Sequence, residues 1–323
     1  MHDLQTYEAV LDGSREINKQ GGHLMITIFG SINMDLIATT DRLPKPGETV
    51  AGNSFSTAAG GKGANQALAA RRAGSAVRLT GAVGNDGFAV PALALLDAAG
   101  TDLSTVSQVS EPTGTALILV GGDGENMIAV VPGANGTMTA EDAIKAVDAL
   151  NPGDTLMLQF EIPAVAVETA LVAAKAKGVR TVLNLAPLIP DAARLGRLAD
   201  IVIANETEFE RLAGQDNMSA SDREAALARL HAETGQTLIV TLGADGVTAI
   251  RNGELSRAKG LVIEPVDTVG AGDTFCGYLA ASLDQGLDFQ VSLRRAAVAG
   301  SLACLKPGAQ PSIPIASEVA EKL

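Results

Sequence analysis

The chain has no tryptophan, two tyrosines and seven phenylalanines, so aromatic residues make up 3% of its 323 positions. Alanine and glycine dominate in their place, as helices packed closely on a sheet require. Cysteine is as scarce: Cys276 and Cys304 both fall inside apolar helical patterns, which excludes a disulfide framework and reads as buried, reduced thiols. No Lys/Arg run occurs, and 24 basic against 37 acidic residues leave a formal charge of −13. That balance argues against nucleic acid and anionic membrane surfaces, which basic patches recognise. It does not argue against nucleotides, which backbone amides and metal ions can hold. No apolar run reaches membrane-spanning length, and the first 24 residues lack the basic and apolar regions of a signal peptide. The expectation is a cytoplasmic protein whose residues 1–24 are an extension outside the fold.

What is present is a rhythm. Apolar runs at Met25–Phe29, Thr155–Phe160, Thr181–Leu185, Ile201–Ala204 and Leu238–Leu242 read as buried strands. Helical patterns stand among them at Lys62–Ala73, Ala89–Ala99, Ala140–Leu150, Ala164–Lys177 and Ser221–Thr234. Continuous apolar strands alternating with helices predict an α/β fold, a parallel sheet covered on both faces. Two stretches break the rhythm, Leu36–Ala58 and Thr115–Pro132, the second with a hairpin turn at Gly121-Gly122-Asp123-Gly124. They predict a small second sheet placed to act as a lid beside the carboxyl ends of the parallel strands.

Glycine-rich and polar motifs fall at those strand ends. In AGGKGANQA, Ala59–Ala67, the Gly-Lys pair suggests a phosphate-binding P-loop, but Ser56 occupies the pattern's first glycine position and Gly63 follows Lys62. What remains is a glycine turn entering a helix. Lys62 and Asn65 there could bind the hydroxyls of a small polyol, or Lys62 could simply be solvated. In Gly30-Ser-Ile-Asn-Met-Asp35, period-2 alternation puts Asn33 and Asp35 on one side, suited to neighbouring sugar hydroxyls or to an ordinary strand-end turn. Glu161 follows the strand Leu156–Phe160 and is either a hydroxyl acceptor or a helix-entry carboxylate. Asn205 with Glu208 reads as a capping box, or as a pair facing a triphosphate and its Mg²⁺ through water. Thr241-Leu-Gly-Ala-Asp-Gly246 is a β-turn or a loop along a nucleotide.

VDTVGAGDTFCG, Val266–Gly277, carries the sharpest chemistry. Gly270, Ala271 and Gly272 would present successive N–H groups at a helix start, a nest for negative charge. A carboxylate beside such a nest makes sense if Asp273 faces an attacking hydroxyl and accepts its proton while the nest stabilises a transferring phosphoryl group. The plain alternative is Asp273 as a helix N-cap. A dinucleotide fingerprint is excluded, because Phe275 stands where its last glycine would be.

AGGKGANQA, NETE at Asn205–Glu208, DTVGAGDTF and the terminal Gly308-Ala-Gln-Pro-Ser312 together resemble the ribokinase family of ATP-dependent sugar kinases, in order and at family spacing from Met25 to about Pro314. The resemblance implies one domain over 25–323: a Rossmann-like parallel-core sheet flanked by helices, with a β-sheet lid that pairs with a second subunit's lid into a homodimer. It implies transfer of the ATP γ-phosphoryl group to O5 of D-ribose. By motif position Asp273 would be the catalytic base, with Gly270, Ala271 and Gly272 as the anion hole. Asn33, Asp35, Gly61, Lys62, Asn65 and Glu161 would hold the sugar. Asn205, Thr241, Gly243, Gly246 and Gly272 would border the nucleotide, and Glu208 would help organise Mg²⁺. A K⁺ site is implied on Asp267, the carbonyls of Val269, Ala303, Lys306 and Gly308, and the Ser312 hydroxyl. The chain departs from the family pattern at Asn184-Leu-Ala-Pro187, where Asn-Pro-Ala-Pro is usual, and at Ala297, where relatives often carry a polar residue near the adenine. Kinases of 2-deoxyribose, fructose or adenosine, and a non-catalytic sugar sensor, are the alternative readings. An intact Asp273 and anion hole argue against the sensor.

Overall fold

The computed structural model describes residues 24–323; the extension read over 1–24 therefore lies, but for its last residue, outside the described residues. Thirteen strands among those residues form two sheets. They are β1 (Ile26–Phe29), β2 (Asn33–Thr40), β3 (Gly52–Gly60), β4 (Val77–Gly84), β5 (Asp102–Val109), β6 (Gly114–Val120) and β7 (Asn126–Val131). The rest are β8 (Thr155–Leu158), β9 (Arg180–Asn184), β10 (Ile201–Asn205), β11 (Thr237–Thr241), β12 (Val247–Arg251) and β13 (Glu254–Ala258).

The large sheet runs in the order β13-β12-β11-β10-β9-β8-β1-β4-β5. Every pairing from β5 to β11 is parallel, and β12 and β13 add an antiparallel edge. Its strands divide their side chains between two cores, because successive residues point to opposite faces. Ile26, Ile28, Met157, Ile201 and Ile203 enter one core, and Phe29, Leu156, Leu158, Val202 and Ala204 enter the other. This is why the strands read as unbroken apolar runs in the sequence.

The helices are delimited by local chemistry. Capping boxes start those at Ala140–Asp148, Glu206–Ala213 and Ala220–Thr234, through Thr139/Asp142, Asn205/Glu208 and Ser219/Asp222. Left-handed Gly178, Gly214 and Gly235 end the helices Ala164–Lys177, Glu206–Ala213 and Ala220–Thr234. The helices Lys62–Arg72 and Ala271–Asp284 pack against each other at unusually short range. A methyl group on Gly277 would lie 2.5 Å from Ala69 Cβ and 2.6 Å from Gln66 O, so only glycine permits this contact. Their amino-terminal turns thereby meet, and those turns carry the two glycine motifs.

The small sheet has the order β3-β2-β6-β7, with β2 and β6 parallel. It begins at Asn33, so Asn33 and Asp35 belong to the second sheet and not to the end of β1, a correction to the sequence reading. The chain passes from one sheet to the other within Gly30–Ile32, which brings the base of the small sheet to the carboxyl ends of β1 and β8. Four strands of the large sheet, β4, β5, β12 and β13, went unread. Arg78, Thr80, Ser107, Gln108, Arg251, Glu254 and Arg257 interrupt their apolar pattern, as edge-side strands allow.

Candidate active site

Asp273 is buried at 7% exposure in the first turn of the Ala271–Asp284 helix. It does not cap that helix. Gly270 is the N-cap, in a left-handed conformation with φ of 78°, and makes no side-chain cap bond. The Asp273 carboxylate points instead to the neighbouring helix, where Asn65 Nδ2 donates to Oδ2 at 2.9 Å and Gln66 Nε2 donates to Oδ1 at 3.0 Å. The N–H groups of Gly272 and Asp273 fall among the first-turn donors that have no carbonyl of a preceding turn. The Ala271 N–H makes a 3.3 Å bond to Thr268 O. At Gly272 an added methyl would meet nothing beyond its own helix within 4 Å, so the helix start is open on that side.

Glu161 organises the other side of the cleft. Its Oε2 accepts from Ser31 Oγ at 2.6 Å, Lys62 N at 3.0 Å and Asn33 Nδ2 at 3.5 Å. It thereby joins the loop after β1, the start of β2 and the glycine turn. Gly61 makes that junction possible: its φ is 90°, and a Cβ would lie 2.7 Å from Asn33 N. Asn135 closes the network from behind, donating to Asn33 Oδ1 at 2.7 Å and Ile32 O at 3.1 Å while accepting from Ile32 N at 2.9 Å. Sequence reasoning missed Ser31, Gln66 and Asn135, although two of them lie within motifs already singled out. Their roles depend on partners such as Glu161, Asn33 and Asp273, which lie 130, 102 and 207 residues away and for which the chain carries no local signal.

These groups share one electrostatic neighbourhood. Burial, then Glu161 and Asp273, push Asp35 up to about 7, against the pull of Lys62. The Asp35 carboxylate lies where a Cβ on Gly60 would be, at 2.5 Å, so it is held close over the glycine turn. Lys62 is held above its usual range chiefly by Asp273, with Glu161 and Glu208 adding and burial opposing. Burial raises Glu208, while the Asn205 N–H and Lys62 pull it down. Acidic groups thus surround a single lysine at the strand ends.

Asn205 and Glu208 form the capping box in both directions, each bond 2.8 Å long. This structural role explains their spacing, and it also leaves the second carboxylate oxygen of Glu208 outside the box. Thr241 ends β11 beside Asn205, its register partner on β10, with Oγ1 donating to Ala204 O at 3.4 Å. Gly246 is demanded by packing, since a Cβ would sit 2.2 Å from Ala258 O, whereas Gly243 borders open space.

Asp267 ties two loops together. Its Oδ1 accepts from Val269 N at 3.0 Å and its Oδ2 from Gly308 N at 2.9 Å. The N–H groups of Val266 and Asp267 both donate to Cys304 O. Ser312 Oγ donates to Ala309 O at 2.9 Å, and Ala309 packs against Gly270, where a Cβ would lie 2.9 Å from its own. Val269, Gly308 and Ser312 are thus gathered next to the glycine nest, with Ala303 at the end of the preceding helix and Lys306 between it and Gly308 in the chain. Among the described residues, no three His, Cys, Asp or Glu side chains cluster to hold a metal ion by themselves. None of the described helices is long and apolar enough to cross a membrane.

The chain is similar to known proteins over nearly all of its length. The ribokinase of Haemophilus influenzae is 36% identical over 299 residues, 92% of this chain and 98% of the relative. The deoxyribokinase of Salmonella typhi is 32% identical over 301 residues, again 92% of this chain and 98% of the relative. The structure of Arabidopsis thaliana ribokinase complexed with ribose and ATP matches with a TM-score of 0.83 at 32% identity, covering 93% of this chain and 98% of that one. The profile of the pfkB family carbohydrate kinases matches residues 23–316, and the chain belongs to that family.

Proposed function

We propose that the protein transfers the γ-phosphoryl group of ATP to O5 of D-ribose, with Asp273 accepting the proton of the attacking hydroxyl. The observation that carries this reading is the placement of Asp273. It is a buried carboxylate, fixed through both oxygens, in the same helical turn as N–H groups that have no carbonyl of a preceding turn, beside open space at Gly272. Phosphoryl transfer asks little covalent chemistry of a protein; it needs a positioned base and donors aimed at the transferring group. Gly270, Ala271 and Gly272 would line the phosphoryl path. Asn33, Asp35, Gly61, Lys62, Asn65 and Glu161 would bind the sugar, since carboxylates and amides on two sides of one cleft can accept and donate to vicinal hydroxyls. Asn65 Oδ1, buried and without a hydrogen-bond partner among the described residues, would be a further acceptor for a hydroxyl brought against it.

ATP would lie along the ends of β10 and β11, bordered by Asn205, Thr241, Gly243 and Gly246. The donor set there suits Mg²⁺ held mainly by phosphate and water, with Glu208 as the nearby carboxylate. When bound, Mg²⁺ would offset charge on the transferring phosphates. Lys62 supplies fixed positive charge to the same region. The oxygens of Asp267, Val269, Ala303, Lys306, Gly308 and Ser312 are hard donors that fit K⁺, and the contact of Ala309 with Gly270 would connect that ion to the nest.

The small sheet would act as the lid and as a homodimer contact. On one face it exposes Phe55 at 68%, Met127 at 53% and Val131 at 49%, apolar side chains that a second copy could cover.

A coupled ADP-release assay over ribose, 2-deoxyribose, fructose and adenosine, with and without K⁺, tests the proposal. Ribose should give the highest kcat/KM, and K⁺ should raise it. Similarity to a deoxyribokinase favours 2-deoxyribose as the second reading, and preferred turnover of that sugar would establish it in place of ribose. Equal rates on all four substrates, or none on ribose, would overturn the assignment.

A further inference from the structure

A chain of three amides runs behind the Asp273 carboxylate. Gln66 has no exposed surface. Its Nε2 donates to Asp273 Oδ1 at 3.0 Å and to Asn184 Oδ1 at 3.3 Å, and its Oε1 accepts from Gln159 Nε2 at 2.6 Å. Both amide hydrogens and the carbonyl of Gln66 are therefore engaged. The orientation is over-determined. An ionised carboxylate only accepts, so Nε2 must face Asp273, and turning the amide over would also break the bond from Gln159. Asn184 is fixed in turn, its Nδ2 donating to Ile203 O at 3.3 Å.

Gln159 is as buried as Gln66, and its Oε1 finds no hydrogen-bond partner among the described residues. A buried amide oxygen left in that state costs free energy unless something requires the side chain there. What it does there is orient Gln66. The space it occupies exists because residue 30 is glycine: a Cβ on Gly30 would lie 2.2 Å from Gln159 Oε1.

We propose that Gln66, held by Gln159, is a positioning residue that sets the direction of the Asp273 carboxylate without touching substrate. Asn65 holds Oδ2 and Gln66 holds Oδ1, so the carboxylate plane is defined by two donors on adjacent residues of one helix. Asn65 would also contact the sugar under the function proposed above. Gln66, with no exposed surface, would not, and supplies the part of the alignment that is independent of the sugar. A base misaligned by even a fraction of an ångström loses much of its effect. This role rests on the assignment of Asp273 as the base.

The test uses the full-length protein with Gln66→Met, which keeps length and removes the N–H donors, together with Gln159→Met and Asp273→Asn. Steady-state kcat and KM are measured with ribose and ATP, and ribose affinity by calorimetry. For Gln66→Met, kcat should fall roughly 10–100-fold while KM and Kd for ribose stay within about threefold. Gln159→Met should reproduce a smaller loss of kcat, on the order of 3–10-fold, again at unchanged ribose affinity. A Gln66→Met enzyme within twofold of the parent kcat, or one whose loss of rate is matched by loss of ribose affinity, would overturn the proposal. If Gln66→Met does not fold, Gln159→Met decides: reduced kcat at constant Kd supports the role, and unchanged kcat overturns it. Full turnover by Asp273→Asn would instead refute the base assignment, an outcome distinct from an inactive Asp273→Asn beside an unimpaired Gln66→Met.

Discussion

The side-chain amide of Asn65 reaches Asp273 Oδ2 at 2.9 Å, joining two helix starts that are 208 residues apart in the chain. One helix brings the glycine turn and its lysine; the other brings the nest of N–H groups. The reactive geometry is a property of that junction. Gly277 maintains it, because any side chain there would push the helices apart.

Replacing Asp273 by Asn keeps the shape of the side chain and removes its capacity to take a proton. Turnover should fall by about 10²–10⁴-fold, the usual contribution of a positioned base. Ribose affinity measured by calorimetry should change only a few-fold. Near-normal kcat would show that the proton leaves by another route.

Asp35 ties activity to pH. Its folded pKa, pushed up to about 7, lies above the unfolded value near 3.8, so the folded state holds the proton more tightly. The stability tied to that proton is fully present below the unfolded value. It is lost as pH rises through about 7. Asp35→Asn should therefore raise the melting temperature at pH 8 and change it little at pH 4, as scanning calorimetry would record. Ribose affinity of the parent protein should strengthen as pH rises through about 7, where the carboxylate becomes an acceptor. In Asp35→Asn that dependence should vanish along with most of the affinity.

Asp267 should mediate the response to K⁺. Adding K⁺ stabilises a folded state that binds it, and the effect grows with concentration. The parent protein should melt higher in K⁺ than in equal Li⁺, and Asp267→Ala should melt at the same temperature in both. Because Asp267 also holds the N–H groups of Val269 and Gly308, the variant should lose about 1–3 kcal/mol of stability in either salt. A K⁺-specific shift that survives in Asp267→Ala would place the ion elsewhere.

The apolar face of the small sheet should hold two copies together. Sedimentation at micromolar concentration should give a dimer, and Met127→Asp should give a monomer with an unchanged far-ultraviolet spectrum. Met127 is 53% exposed on the same face as Phe55, so the charge is harmless within one copy and costly between two. A parent protein that sediments as a monomer would count against the contact.

The primary sequence alone determined the class of fold. Buried parallel strands must be apolar on both faces, and capping boxes and terminal glycines act within a few residues, so the alternation of β1, β8, β9, β10 and β11 with their helices is written locally. The glycine motifs were legible for the same reason. Only the tertiary structure decided what those motifs face. Asp273 had an N-cap as its alternative reading until its carboxylate proved to face Asn65 and Gln66, and Asn33 and Asp35 read as a strand end until β2 placed them in the second sheet. Ser31, Gln66, Asn135 and Gln159 carried no signal, because a buried polar side chain takes its meaning from the distant group that satisfies it, and sequence does not record distance in space.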